Sequence, residues 1–177
     1  IGSSLSKALG DDTSDLPNFV SISPYTAFNN AAFGPGFLGP QHAPLTVGAT
    51  TVFQQQAQNQ QGYAQLGVDD LYHPGVERPQ QDARLQLWKS LQNRFLANHA
   101  STSPIAQNTV YERAVRMMNS EAAKAFDLTD EKDEVRDAYG QGRFGQGCLM
   151  ARRLIERGVP FIEVSLRGST GGALGWD

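Results

Sequence analysis

The chain has 177 residues, of which 40% are hydrophobic, so it is long enough to form one domain with a buried core. Its formal net charge of -3 gives no electrostatic case for binding nucleic acid or an acidic membrane surface. No apolar run approaches the roughly 18 residues that a membrane helix needs, so we expect no membrane span. The single cysteine, Cys148, excludes an internal disulfide and is interpreted as a small buried apolar residue.

Residues 1–48 are predicted to hold a helix, a strand and a long irregular segment. Residues 1–10 are typical of the last turns of a helix that ends at Gly10 in a left-handed cap. Residues 18–22 are rich in β-forming side chains and predict a strand. Residues 23–48 combine prolines, glycines and aromatic side chains, so we expect an ordered, packed segment without regular structure.

Residues 49–140 are predicted to form a Gln-rich loop followed by a helical insertion. Residues 51–65 are interpreted as an exposed loop or short strand leading into a solvated linker. Residues 78–97 predict an amphipathic helix, because apolar side chains recur on one face at three- and four-residue steps. That face consists of Leu85, Trp88, Leu91 and Phe95.

Two further helices are predicted within the insertion. The first uses Ser103 as its cap and Pro104 as its first residue, and it runs to about Asn119. It is expected to bury the apolar side chains Ile105, Val110, Ala114 and Met117 or Met118. The second is short and is capped by Thr129, with acidic residues in its first turn that complement the helix dipole.

Residues 141–177 are predicted to form a helix, a strand and a glycine-rich loop. The helix begins near Phe144 and ends before Gly158, and residues 159–166 alternate as a strand should. Its predicted buried face is Cys148, Ala151, Leu154 and Ile155, and its predicted solvent face is Arg152, Arg153, Glu156 and Arg157. A helix, a glycine turn and a strand form half of a crossover unit. The sequence therefore predicts an α/β fold with a parallel or mixed sheet.

The dinucleotide-binding pattern G-x-G-x-x-G occurs at Gly140, Gly142 and Gly145. That pattern binds a cofactor only when a buried strand precedes the first glycine. The residues before Gly140 instead read DEKDEVRDAY, a charged helical run. We therefore interpret the glycines as a turn before the next helix. The hypothesis of a nucleotide-dependent oxidoreductase depends on this weak match alone.

The remaining chemically active side chains form no recognisable metal or nucleophile motif. His42, His73 and His99 lack a spacing that builds a metal site and are interpreted as surface or loop residues. Asp69 and Asp70 could together hold a hard cation, but paired acids in an exposed loop are more often solvated.

Asp177 is the predicted metal ligand of this chain. It follows a glycine-rich run at the carboxyl end of the predicted last strand, where ligands bind in open α/β sheets. The glycines Gly168, Gly171, Gly172 and Gly175 would let the backbone approach a bound ion closely. The alternative is a solvated loop acid.

Several stretches together resemble one bacterial family. They are IGSSLSKALG, LPNFVSI, GPGFLGPQHAPL, YERAVRMMNSEAAKAFDL, YGQGRFGQGCLMARRLIERGVPFIEVSL and GWD. In this order they resemble the family catalogued as domain of unknown function 1501, which is assigned to the alkaline phosphatase and sulfatase-like superfamily. The resemblance covers the whole chain, 1–177, which is then expected to be an internal part of a single α/β domain in a longer protein.

The resemblance implies a fold, a chemistry and a location. The fold would be part of an alkaline-phosphatase/sulfatase-like sandwich, with a mostly parallel sheet and a helical insertion. The protein would be an exported hydrolase, periplasmic or otherwise extracytoplasmic, that uses a divalent metal ion. Its substrates would be sulfate or phosphate esters of small molecules or polysaccharides. Asp177 would be one ligand of that metal, although the run RGSTGGAL before GWD is longer than in the family. The alternative is a non-catalytic exported binding or scaffold protein, suggested by the aromatic side chains of residues 25–38.

Overall fold

The structure, a computed structural model, describes residues 1–24, 34–48, 62–69, 71, 75, 77–99 and 101–166. The helices are α1 (Gly2–Leu9), α2 (Arg78–Asn98), α3 (Thr102–Met118), α4 (Asp133–Tyr139) and α5 (Arg143–Glu156), and the strands are β1 (Phe19–Ile22), β2 (Leu45–Val47) and β3 (Phe161–Val164). Short 3₁₀ helices occupy Gly36–Leu38, Pro40–His42 and Glu121–Phe126.

The described strands form one parallel sheet in the order β2-β1-β3, which confirms the predicted α/β class. All four residues of the central strand β1 are buried, as expected for a parallel strand covered on both faces. Its last residue, Ile22, pairs with Val47 of β2 and with Val164 of β3, so the three strands end at the same level.

Helices cover both faces of this sheet. A Cβ added to Gly2 of α1 would lie 2.3 Å from the ring of Phe19, which itself packs against Phe161. On α5, a Cβ added to Gly147 would lie 3.1 Å from Cγ2 of Ile22. Phe19 and Ile22 point to opposite sides of β1, because side chains alternate along a strand. The described elements therefore stack as helix, sheet and helix.

The predicted first helix is confirmed, but its predicted left-handed cap is wrong. The buried residues of α1 are the small ones, Gly2, Ser3 and Ser6, while Leu9 is 62% exposed. Gly10 is extended, with φ -73° and ψ 150°, and is not left-handed. A side chain there would collide with the Ser6 carbonyl, since a Cβ would lie 2.2 Å from its oxygen. Close approach to the sheet selects small residues over large apolar ones.

The segment from residue 23 to residue 48 holds more regular structure than predicted. It contributes strand β2 and two 3₁₀ helices, and residues 25–33 lie outside the described residues. The side chain of Phe37 is 96% exposed, so it does not pack as predicted. Strand β2 spans three residues between Pro44 and Gly48, which is too short for alternation to be visible in the sequence.

The predicted first helix of the insertion is confirmed as α2, although its apolar face is only partly covered. Leu91 and Phe95 are 60% and 47% exposed. Trp88 stacks on Tyr111 of α3 with ring centres 3.8 Å apart, so this aromatic contact joins the two helices. Amphipathic spacing thus identified the helix, but it did not determine how much of the apolar face is covered by α3.

Helix α3 is also confirmed, but its predicted cap is wrong. The N-cap residue is Ser101, two residues before Ser103, and it makes no side-chain capping bond. Proline is tolerated anywhere in the first turn because those amides lack intrahelical acceptors, so Pro104 could not mark the first helical residue. Met117 is buried as predicted, whereas Ile105 is 52% exposed.

Thr129 does not cap the third helix, which begins four residues later at Asp133. Instead, the amide and hydroxyl of Thr129 donate to Oδ1 of Asp127 at 2.9 and 2.6 Å. The same residue types favour an Asx turn as readily as a helix cap, which explains the error.

The predicted last helix is confirmed as α5, but its buried face is rotated from the predicted one. Arg153, predicted to face solvent, is 5% exposed, and Ile155, predicted to be buried, is 62% exposed. Arg153 is retained inside because Glu131 accepts its hydrogen bond at 2.6 Å. Gly158 has φ +90° and ends the helix as predicted, and β3 is shorter than the predicted strand 159–166.

Tyr63 connects the described segment 62–69 to α4. Its hydroxyl donates to Oδ1 of Asp137 at 2.9 Å and to the Asp133 carbonyl at 3.2 Å. The guanidinium of Arg136 lies 3.9 Å from the centre of its ring. Burial, followed by the hydrogen bond to Asp137, raises the pKa of Tyr63 to about 12.

We expect Asp137→Asn to lower the pKa of Tyr63, because the variant removes the charge that disfavours phenolate. A raised folded pKa gives stability that is complete below the unfolded value of about 10 and is lost as pH rises through about 12. The phenolate absorbance of the wild type minus that of Tyr63→Phe reports this group in an alkaline titration. An unchanged pKa in Asp137→Asn, with Asp82→Asn as control, would contradict the assignment.

Candidate functional site

The carboxyl ends of the three strands meet on one edge of the sheet. The amide of Ser23 donates to the Val47 carbonyl at 2.8 Å, and the amide of Ser165 donates to the Ile22 carbonyl at 3.0 Å. Gly48 is tied in turn to the segment 62–69, because its amide donates to the Gly67 carbonyl at 3.0 Å. This edge is where open α/β sheets bind their ligands.

Ser23, directly after β1, has an unusual backbone and a buried hydroxyl. Its φ is +52°, a left-handed conformation that costs a residue other than glycine about 1–2 kcal/mol. The residue is 4% exposed, and within the described part of the chain its Oγ has no hydrogen-bond partner. A buried hydroxyl without a partner costs about 1–3 kcal/mol. Strained backbone conformations of this kind are found most often at functional sites.

Arg143 brings a positive charge to the same edge. It is the first residue of α5, it is half-buried, and its Nη2 donates to the Gly48 carbonyl at 2.6 Å. Gly48 packs closely against this group, and its φ of +65° is a backbone conformation that favours glycine. A Cβ there would lie 3.0 Å from Cδ2 of Leu66, 3.1 Å from Nη2 of Arg143 and 3.6 Å from Oγ of Ser23. The Ser23 hydroxyl and the Arg143 guanidinium therefore both lie beside Gly48.

Helix α5 begins at this edge. Its fifth residue, Gly147, packs against the last residues of β1 and β3. A Cβ on Gly147 would lie 3.0 Å from Cγ1 of Val164 and 3.1 Å from Cγ2 of Ile22. The first amides of a helix lack intrahelical acceptors, and the helix dipole adds partial positive charge there. The described part of the edge thus combines a hydroxyl, a cation and a helix amino end, which together suit an anion.

A cavity of about 160 Å³ lies at the opposite, amino edge of the sheet. Its lining includes Pro17 before β1, Pro44 before β2 and Met117 of α3. Its main cation, Arg113, already donates to the Gln41 carbonyl at 2.7 Å and pairs with Asp12. Because Arg113 already has these partners, we interpret this cavity as a packing gap between α3 and the sheet.

The residue predicted as a metal ligand, Asp177, lies outside the described residues, and so do His73 and Asp70. The glycines that precede Asp177 in residues 168–175 lie outside them as well. Asp69 is exposed. Among the described residues, no three His, Cys, Asp or Glu side chains lie close enough together to hold a metal ion.

The remaining candidates occupy structural positions. His42 ends a 3₁₀ helix, and burial, helped by the charges of Arg113 and Lys7, lowers its pKa. His99 follows α2 and stacks on Phe95 with ring centres 4.3 Å apart. Cys148 is half-buried, and burial raises the pKa of its thiol, so it is a poor thiolate nucleophile.

The glycine pattern is explained by packing between helices. Helix α4, and no strand, precedes Gly140, which confirms the predicted context. A Cβ on Gly145 would lie 2.0 Å from the Tyr139 carbonyl oxygen, so the third glycine lets α5 start directly against the end of α4. Sequence reasoning missed Ser23 and Arg143. The rule applied to Asp177, polar groups after a buried strand, would have found Ser23 after the first strand.

The fold and this edge define an α/β protein with a parallel sheet and a polar carboxyl edge. A comparison with protein families matches residues 1–177 to the family described as "Protein of unknown function (DUF1501)". The chain therefore belongs to that family. A search of curated proteins and a search of solved structures found no match. In the described part of the chain, no helix has both the length and the apolar character to cross a membrane.

Proposed function

We propose that this chain is part of a hydrolase that acts on sulfate or phosphate esters and binds them at the carboxyl edge of its sheet. The observation that carries the proposal is the convergence of three parallel strand ends with the amino end of α5 and Arg143. A sulfate or phosphate ester places negative charge where this edge supplies positive charge. An alkaline-phosphatase/sulfatase-like sandwich, of which the described sheet would be one part, belongs to the same proposal.

The proposal includes a divalent metal ion and export to the periplasm. Its metal ligand in this chain is Asp177, which lies outside the described residues. The described residues supply no set of metal ligands of their own. The hydroxyl of Ser23 and the charge of Arg143 at this edge support the binding of an anionic group. What they contribute is binding and charge neutralisation of the ester, because an oriented cation stabilises negative charge that develops during hydrolysis.

We expect the protein produced from its complete gene to retain a divalent metal and to hydrolyse 4-nitrophenyl sulfate or 4-nitrophenyl phosphate. Asp177→Ala should lower the metal content, because it removes one oxygen ligand. Elemental analysis of the purified protein measures the metal, and release of 4-nitrophenol measures hydrolysis. Asp82→Ala, which changes an exposed carboxylate on α2, is the matched control. Metal content near zero in the wild type, together with no release of 4-nitrophenol, would refute the proposal.

A non-catalytic binding protein on the same fold is the second candidate. The exposed side chain of Phe37 favours it, because a free aromatic face on a short 3₁₀ helix suits contact with a ligand or partner. This candidate predicts binding of an ester or polysaccharide without hydrolysis. Retained binding by a protein that fails both 4-nitrophenyl assays would favour it over the hydrolase.

A further inference from the structure

Residues 62–69, which we call the strap, lie over the carboxyl edge of the sheet. Leu66, within the strap, lies between the turn after β2 and the start of α5. Its Cδ2 would be 3.0 Å from a Cβ added to Gly48, and its Cδ1 would be 3.9 Å from a Cβ added to Gly147. Gly147 faces the last residues of β1 and β3, so the side chain of Leu66 covers the place where the three strands end.

Backbone hydrogen bonds and a tyrosine anchor the strap. The Gly67 carbonyl accepts from the Gly48 amide at 3.0 Å, and the Ala64 amide donates to the Gln141 carbonyl at 2.8 Å. These two bonds tie the strap to the turn after β2 and to the turn before α5. The hydroxyl of Tyr63 adds bonds to α4.

The contacts of the strap lie near the surface. None of residues 62–69 is buried, and the hydrogen bonds of the Tyr63 hydroxyl are exposed to solvent. Segments with few buried contacts open locally at a much lower free energy than the whole domain unfolds. The strap can therefore open while β1 and α5, which contain fully buried side chains, stay folded.

We propose that the strap is a lid that is closed over the carboxyl edge in this structure and opens to admit the ester. This inference rests on the proposed ester hydrolase, because it describes access to the site of that activity. Leu66 is the cover, since it packs against Gly48 at the strand ends. The hydrogen bond from Tyr63 to Asp137 is the latch that keeps the cover in place.

The lid makes a prediction that a structural loop does not make. When only the open form binds a ligand, the apparent affinity is reduced in proportion to the fraction of molecules that are open. A variant that weakens the latch enlarges that fraction. Such a variant should bind and hydrolyse the ester better than the wild type, whereas the loss of a structural contact would leave both unchanged or impair them.

Hydrogen exchange of the protein from its complete gene measures the opening. Tyr63→Phe removes the hydroxyl and keeps the aromatic ring. The amides of Gly48 and Ala64 should then exchange about 5- to 10-fold faster, the factor expected for the loss of one hydrogen bond. Amides of β1 and α5 should exchange at the wild-type rate. Tyr111→Phe, which removes an exposed tyrosine hydroxyl from α3, is the matched control and should change neither set.

Hydrolysis of 4-nitrophenyl sulfate or 4-nitrophenyl phosphate measures the consequence. Tyr63→Phe should raise kcat/KM by about the same 5- to 10-fold, because the open fraction rises by that factor. Leu66→Ala removes the cover and should also raise kcat/KM. Leu45→Ala shortens a half-buried leucine of β2 at the opposite edge and should not raise it.

The affinity for inorganic phosphate and inorganic sulfate, measured by calorimetry in the same variants, separates the lid from the hydrolase. Tighter binding of either anion by Tyr63→Phe, in a protein that hydrolyses neither ester, supports the lid and counts against the hydrolase. Faster exchange at Gly48 and Ala64 without a rise in kcat/KM or in anion affinity overturns the lid. Unchanged exchange in Tyr63→Phe overturns it as well, and ester hydrolysis by the wild type would leave the hydrolase standing in either case.

Discussion

Replacing Glu131 with glutamine is expected to lower the free energy of unfolding by about 3 kcal/mol at neutral pH. Oε1 of Glu131 accepts from Nη1 of Arg153 at 2.6 Å, and the two side chains are 16% and 7% exposed. The variant leaves the Arg153 charge buried beside a neutral amide. The nearest other carboxylate, Asp130, lies 4.0 Å away and is 66% exposed, so it compensates only in part.

The loss should depend on pH. The hydrogen bond from Arg153 is the main cause that holds the pKa of Glu131 below its usual range. A carboxyl group with a depressed folded pKa gives stability that is complete above the unfolded value of about 4.3. That stability is lost as pH falls through the folded pKa. The difference between wild type and Glu131→Gln should therefore be largest near pH 7 and should shrink below about pH 4.

Urea unfolding at several pH values measures this difference. Glu134→Gln is the control, because Glu134 is an exposed carboxylate in the first turn of α4. Its loss should cost less than about 1 kcal/mol, the value of a charge at a helix end. If Glu131→Gln were no more destabilising than Glu134→Gln, the pair with Arg153 would not hold α5 to the loop before α4.

Gly145→Ala should destabilise the protein by about 2–3 kcal/mol. A Cβ at this position would lie 2.0 Å from the Tyr139 carbonyl oxygen and 2.7 Å from the Gly140 carbonyl oxygen. These are backbone atoms, so the end of α4 would have to move away from α5. Alanine is favoured over glycine within a helix by about 1 kcal/mol, which offsets only part of the collision. The measurement is the shift in urea midpoint at unchanged slope.

Gly142→Ala is the matched control for this change. Gly142 belongs to the same glycine pattern, and a Cβ there would meet no heavy atom within 4 Å. Its φ of -72° suits alanine, and it occupies the N-cap of α5, where the change costs under about 1 kcal/mol. Equal effects at Gly142 and Gly145 would show that close packing of α4 on α5 is not what requires the third glycine.

Local patterns identified most elements of the fold. The helices near the start, at 78–97 and before Gly158, and the strands at 18–22 and 159–166, are visible because apolar spacing and capping residues act within a few neighbours. Strand β2 was missed because three residues carry too little pattern. Thr129 does not cap a helix, because its amide and hydroxyl donate to the nearby Asp127 carboxylate. A threonine followed by acidic residues is compatible with either arrangement.

The faces of the helices could not be predicted in this way, because they depend on distant partners. Arg153 is buried because Glu131 lies against it, although the two are 22 residues apart. Small residues of α1 are buried in preference to Leu9 because that helix approaches the sheet closely. Hydrophobicity ranks the side chains, but the contact distance between elements decides which of them are buried.

The sequence alone indicates the α/β class, a parallel or mixed sheet, the resemblance to the family and the expectation that chemistry lies after a buried strand. Each of these depends on short-range pattern or on motifs read in order. Only the folded chain brings together Ser23 directly after β1, Gly48 directly after β2 and Arg143 at the start of α5. Gly48 and Arg143 are 95 residues apart in the chain. They meet because the parallel strands end at one edge of the sheet and helix α5 begins at that edge.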